Sequence, residues 1–387
     1  MPAIRCFLSG VVLGLVLYPG VAKLRAAEES NKPEPAAETP SNPTTQKSED
    51  SSAAKKSELA ISAALNWLAR HQLPDGRWSL SKYQTVCKDP PCSGPGAQST
   101  DTAATAFGLL PFLAAGQTHK SQGPYRSTVT NGLSWLMRNQ KPDGDLRGGG
   151  NMYSHGLATL ALCEAYGPTG DPAFGYAAQA AIDFIQKAQN QRTGGWRYTP
   201  GDEGDTSVLG WQLEALQSGR LAGLKVKPES LEDAGKWLKS VASGEQGGKS
   251  AYTPGSGPTP TMTAVGLLSR QILGAKPEDP ALIEGRQYLL ANLPDRSGRN
   301  GYYWFFATQV LHHAGGPDAD AWKRSVSQKL VASQCQDGCA AGSWDPQKPS
   351  ADTWGTHGGR LMVTSLSVLT LQVETGKLLL FDRDAKK

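Results

Sequence analysis

Along most of the chain, two kinds of apolar pattern alternate. In the first, Ile61, Leu65 and Leu68 recur at four- and three-residue spacing, the single stripe of a helix that covers a core with one face. In the second, nearly every face is apolar: residues 102–115, 156–166, 206–216, 263–273, 304–313 and 361–373. Helices of that kind belong inside, and small residues such as Ala103, Ala104, Ala106, Gly108, Ala264 and Gly266 let them approach closely.

The alternation is organised by a repeat. The segment Ala60 to Trp78 has near copies in Thr128 to Gly144 and in Ala178 to Trp196. Looser copies begin near Leu231 (with Trp237 and Gly247-Gly248), near Leu282 (with Tyr288 and Gly301), and near Trp322 (with Gln334 and Gly342-Ser343-Trp344). Six copies between Leu59 and Gly376 give a period of roughly 53 residues, in the range of solenoids and closed arrays. Each copy holds one amphipathic helix, ended by Asp-Gly or Gly-Gly as a glycine cap ends a helix, and one buried helix. An open solenoid would expose the buried set at its ends. The pattern therefore predicts an all-α fold, an (α/α)6 toroid over residues 58–377 with an inner and an outer ring, followed by a tail at 378–387.

The stretches Gln72 to Trp78, Gln140 to Gly144 and Gln191 to Trp196 resemble the repeat of the prenyltransferase and squalene cyclase superfamily. That resemblance implies an α/α toroid with a central, mostly apolar cavity. The superfamily includes terpene cyclases, protein prenyltransferase β-subunits and the thioester domains of complement-like proteins. Read from the residues alone, the repeat Trp packs between neighbouring units and the repeat Gln ties helix ends.

The first 27 residues read as an export signal or membrane anchor. Arg5 precedes an apolar run from Cys6 to Tyr18, and Gly20 and Ala22 supply the small residues of a cleavage site. Residues 28–57, rich in Pro, Glu, Ser, Thr, Lys and Ala, have too little apolar surface to fold and read as a disordered linker. The expected location is outside the cytoplasm, with any membrane contact confined to the N-terminal segment.

Charge and cysteine content narrow the picture. Lys+Arg 39 against Asp+Glu 35 gives a net charge of +4 over 387 residues, and no basic cluster interleaves with aromatics, which argues against nucleic-acid binding. Gly 44 and Trp 10 are both above average usage, as a repeat built on Gly and Trp requires. In an oxidising compartment Cys87 would pair with Cys92 and Cys335 with Cys339, each closing a short loop, while Cys163 sits in an apolar helix as a core residue. Neither pair has a matching His pair at zinc-ligand spacing, so no metal and no cofactor is expected.

Candidate chemistry lies where the inner helices begin, because parallel inner helices bring their N-termini to one mouth. Asp101, His155, Asp205, Asp352 and His357 open those helices. Asp101 and Asp205 are the candidate catalytic acids, although Asp in that place is also a preferred helix cap, and the helix N-terminus favours its charged form. His155, Trp211, Tyr303, Trp304, Phe306, Asp352 and His357 are the candidate cavity residues; aromatic faces there would stabilise cations or line an apolar cleft.

The resemblance sharpens these expectations residue by residue. Cyclases that protonate their substrate carry Asp-x-Asp-Asp-Thr-Ala, with the middle Asp as donor; the matching stretches here end in Asp101 and Asp205 but place Thr100 and Gly204 at the donor position. The Asp337, Cys339 and His357 set resembles prenyltransferase zinc ligands only superficially, since Asp337 fills the repeat slot of Asp75 and Asp143. Ser243-Gly-Glu-Gln246 lacks the cysteine of a thioester. The leading expectation is an exported toroid that binds an apolar, isoprenoid-like ligand in a central cavity. The alternatives are a non-catalytic protein-binding scaffold of the envelope, with its protein partner unknown, and a polysaccharide-active enzyme. A filled centre would favour the scaffold.

Overall fold

The computed structural model describes residues 43–87 and 90–382, so the expected signal segment, the first half of the expected linker and the last five residues lie outside the described part. Among the described residues, twelve α-helices alternate between two rings. The outer ring comprises α1 (Pro43–Arg70), α3 (Arg126–Arg138), α5 (Pro172–Ala188), α7 (Pro228–Ser240), α9 (Pro280–Leu290) and α11 (Gly316–Ser333). The inner ring comprises α2 (Asp101–Ala114), α4 (Met152–Thr169), α6 (Thr206–Leu221), α8 (Pro260–Ile272), α10 (Gly301–Ala314) and α12 (Gly355–Gln372). Each inner helix packs on the next, and α12 packs back on α2, so the ring closes. A two-residue hairpin, β1 (Ala242–Ser243) with β2 (Lys249–Ser250), is the only sheet among the described residues.

Burial follows the two sequence patterns. In α2 every residue from Thr102 to Ala114 is buried, whereas α3 buries only Val129, Gly132, Leu133 and Leu136, one stripe. The repeat Trp side chains Trp78, Trp196 and Trp344 are fully buried, and each indole N–H donates to a carbonyl of the preceding outer helix: Leu68, Ile185 and Leu330 respectively, at 2.7–2.8 Å.

The repeat Gln bridges its own turn and the next outer helix. Gln72 donates to Gly76 O and Thr128 O, Gln140 to Gly144 O and Ala177 O, and Gln334 to Gly342 O and Ala60 O. In the third copy the residue in this role is Gln189, bonded to Gly194 O and Ser230 O, not Gln191, which folds back onto Gln189 O. From this Gln to the glycine it holds, the turn is one residue longer than in the first two copies, which displaces the sequence match.

Two boundaries differ from the sequence reading. Helix α1 starts at Pro43, ahead of the expected onset near Ser57, although Ser51 to Lys56 are exposed and packing begins at Ala60. Helix formation needs no core there, because Ala, Lys, Glu and Ser tolerate a solvated helix. The segment after residue 377 is not a loose tail: Leu378, Leu380 and Phe381 are buried. Among the described residues no helix is long and apolar enough to cross a membrane.

Candidate functional site

Four of the inner helices begin with a side-chain cap. Asn151 accepts from Tyr153 N, Asp205 from Val208 N, Thr259 from Met262 N and Asn300 from Tyr303 N, at 2.9–3.1 Å. The inner-helix starts are laced together, with Met152 N donating to Tyr198 O, Thr206 N to Tyr252 O, and Ala97 N, ahead of α2, to Thr356 O of α12. That lacing gathers the helix starts at one mouth.

Asp205 is the hub of the mouth. Its Oδ1 accepts from Ser207 Oγ at 2.5 Å and from Val208 N at 2.9 Å, and its Oδ2 accepts from the Tyr252 hydroxyl at 3.2 Å, with Arg197 Nε 3.8 Å away. Tyr252 and Tyr198 share a hydrogen bond of 2.6 Å, and Tyr153 donates to Ser207. Asp205 is fully buried, and burial pushes its carboxyl above the ordinary range; Ser207, Val208 N–H, Tyr252 and Arg197 pull the other way. The sequence argument, that a helix N-terminus would favour the charged form, omitted the desolvation that outweighs it.

The other expected residues separate. Asp101 opens α2 without capping it and instead pairs with Arg77 Nε at 3.1 Å. Asp352 is buried and accepts from Gly301 N at 2.8 Å and Trp354 N at 2.9 Å, which ties the loop before α12 to the start of α10. His357 is exposed against Trp354. His155, expected to face the cavity, lies against α5: Leu146 N donates to its Nδ1, its Nε2 donates to Ala181 O, and both bonds are 3.0 Å. Tyr303 likewise faces outward, donating to Leu289 O and Asn292 O and packing on Trp322 of α11. Helical periodicity sends 302, 305, 306 and 309 inward and 303 outward, which the all-apolar sequence of α10 does not reveal. Trp304 is buried, and its indole N–H has no partner among the described residues.

The axis of the toroid is occupied by side chains. Trp211 of α6 meets Phe107 of α2 at a centroid distance of 6.2 Å, and Phe305 and Phe306 of α10 at 5.8 and 5.2 Å, although neither α2 nor α10 adjoins α6 in the inner ring. All four rings are at most 6% exposed. Below them Gln309 of α10 donates to Glu214 of α6 at 2.8 Å, also across the ring. The expected central cavity is thus filled at this level by aromatic side chains, two of which, Trp211 and Phe306, were read as its walls.

At the position of the missing acid in the second motif copy, Gly204 adopts φ +120°, and a Cβ there would lie 2.9 Å from Gly195 Cα and 3.0 Å from the Trp237 ring. A carboxylate side chain has no room at that place.

The opposite end is closed by the chain's own C-terminal segment. Glu164, buried on α4, accepts from Leu379 N at 2.6 Å, Leu380 N at 3.4 Å and Ser218 Oγ at 2.8 Å. His312 Nε2 lies 2.9 Å from Phe381 O. Burial raises Glu164 to about 7 and Glu214 to about 8.

The described cysteines form no disulfide, contrary to the two expected pairs. Cys335 turns to Arg360, with Sγ 3.4 Å from Nη1. Cys87, Cys92 and Cys339 converge instead on His71, whose Nε2 lies 3.3, 3.5 and 3.5 Å from their sulfurs. The sequence reading passed over His71, which stands where the second repeat has Asn139; a histidine beside the repeat Gln was the available signal.

Comparison with known proteins bears on the fold. The squalene-hopene cyclase C-terminal domain family matches residues 47–157. No curated protein matches the chain by sequence. The type II terpene cyclase MstE from Scytonema superposes with a TM-score of 0.55 at 14% identity, covering 82% of this chain and 98% of that one. An α-1,6-mannanase from Salegentibacter gives 0.56 at 11% identity, covering 83% and 98%. An α-amylase from Clostridium perfringens gives 0.54 at 9% identity, covering 81% and 97%. In repeat and in fold the chain is similar to the prenyltransferase and squalene cyclase superfamily; at these identities the structures speak to the fold alone.

Proposed function

We propose that this chain is an exported, ring-shaped scaffold that binds a protein partner at the mouth formed by the inner-helix N-termini, and that it does not cyclise isoprenoids. The observation that carries the reading is the aromatic plug: an isoprenoid on the axis would have to displace Trp211, Phe107, Phe305 and Phe306 from contact with one another. The missing donor acid at Gly204 and Thr100 supports it. The mouth offers Arg197 stacked over Tyr198 and Tyr252, with Tyr198 40% exposed and Trp354 43% exposed; Tyr, Trp and Arg are the residues that most often anchor protein interfaces.

The test is to incubate the purified protein with squalene and with a geranylgeranyl-bearing substrate, and to analyse it by native mass spectrometry. No cyclised product and no retained isoprenoid is expected. Either one would overturn the scaffold reading and restore the apolar-ligand reading.

A second reading, polysaccharide processing, has the polar rim of tyrosines and Arg197 in its favour. Against it, Asp205 and Asp352 are committed to backbone amides and Asp101 to Arg77, whereas glycoside hydrolysis uses a pair of available carboxylates. Release of reducing sugar from mannan or starch, abolished in Asp205→Asn, would favour this second reading over the first.

A further inference from the structure

We propose that His71, Cys87, Cys92 and Cys339 form a structural zinc site that clasps the first repeat to the sixth. The donor atoms of the four residues all lie within 4.8 Å of one another. With zinc–sulfur bonds of about 2.3 Å and zinc–nitrogen bonds of about 2.0 Å, the edges of a tetrahedron run to roughly 3.5–3.8 Å, close to the spacing from His71 Nε2 to the three sulfurs. Three soft thiolates and one imidazole are a donor set of zinc, and four protein ligands leave no open position, the mark of a structural site.

The surroundings orient the ligands as a metal centre requires. His71 Nδ1 lies 2.7 Å from Trp67 O, so it carries the proton and donates it there, leaving the Nε2 lone pair toward the sulfurs. The ring is stacked on Trp67 at 4.1 Å and flanked by the edge of Tyr83 at 5.8 Å. Arg360, 1% exposed, holds the Cys92 loop through Ser93 O at 2.7 Å and the sixth-repeat loop through Asp345 Oδ2 at 2.6 Å.

The clasp has a topological purpose. His71, Cys87 and Cys92 follow α1, while Cys339 follows α11, so the ion would join the two ends of a ring that no peptide bond closes. This inference is independent of what the mouth binds: zinc would be present whether or not the protein catalyses anything.

The test is metal analysis of the full chain, purified with a thiol reductant and without chelator, then repeated after chelation and reloading with zinc. One zinc per chain is expected, with a lowered melting temperature on chelation that reloading restores. Cobalt substitution should give the visible bands of a tetrahedral thiolate site. Cys339→Ser should lose stoichiometric zinc and the chelator-dependent shift, whereas Cys335→Ser should keep both; should Cys339→Ser not fold, the cobalt spectrum of the wild type decides. A Cys87–Cys92 disulfide in folded protein, or reduced thiols that take up no zinc on loading, would overturn the proposal.

Discussion

The side-chain amide of Gln334 donates to the backbone carbonyl of Ala60 at 2.8 Å, between residues 274 positions apart. The same amide holds Gly342 O at 2.9 Å. Every other repeat Gln joins a unit to its successor in the chain; this one joins the last to the first.

Removing it should open the seam. Gln334→Ala leaves two buried carbonyls without their donor, an expected cost of about 1–3 kcal/mol. Gln140→Ala, at a half-buried junction inside the ring, should cost less. Thermal unfolding of both variants checks the order, and equal losses would mean that the seam is no weaker point than the other junctions.

The cap at Asp205 predicts a contrast between two substitutions. Asn keeps the oxygen that accepts from Val208 N, and burial already disfavours the charge, so Asp205→Asn should stay near wild type in stability. Asp205→Ala loses the cap and should cost about 1–2 kcal/mol. Denaturant melts of the two variants measure the difference; an Asn variant as weak as Ala would mean that the ionised carboxylate and Arg197 matter more than the cap.

Glu214 sets a pH dependence. Burial raises it from its usual 4.5 to about 8. The folded state therefore holds a proton that the unfolded chain has released between these values, so the contribution of Glu214 is fully present below about 4.5 and is lost as pH rises through about 8. Glu214→Gln should flatten the decline in melting temperature between pH 5 and 9. A decline unchanged by the substitution would assign it elsewhere, with Glu164 the next group to test.

The C-terminal segment should behave as part of the core. Phe381 is 4% exposed, so Phe381→Ala should cost about 3 kcal/mol, and ending the chain at Gly376 should cost more, because Glu164 also loses the amides of Leu379 and Leu380. A melting temperature unaffected by truncation would show the segment to be dispensable.

The sequence by itself determined the helices and their two layers, because that information is local. A stripe at 61, 65 and 68 and an all-apolar run at 102–115 each state how many faces a helix must bury, and Gln, Gly and Trp at fixed spacing mark where each unit turns. The repeat count and the absence of polar ends then leave little but a closed ring. What the ring encloses was not readable, since an aromatic residue that lines a cavity and one that fills it look alike until the distance across the ring is known, as with Phe107 and Trp211. Rotation about each helix axis likewise decided that His155 and Tyr303 face outward. The cysteines were misread for the same reason: neighbours in sequence suggested Cys335 for Cys339, whereas ring closure set Cys339 beside His71, a proximity that no local pattern encodes and that exists only once the sixth repeat meets the first.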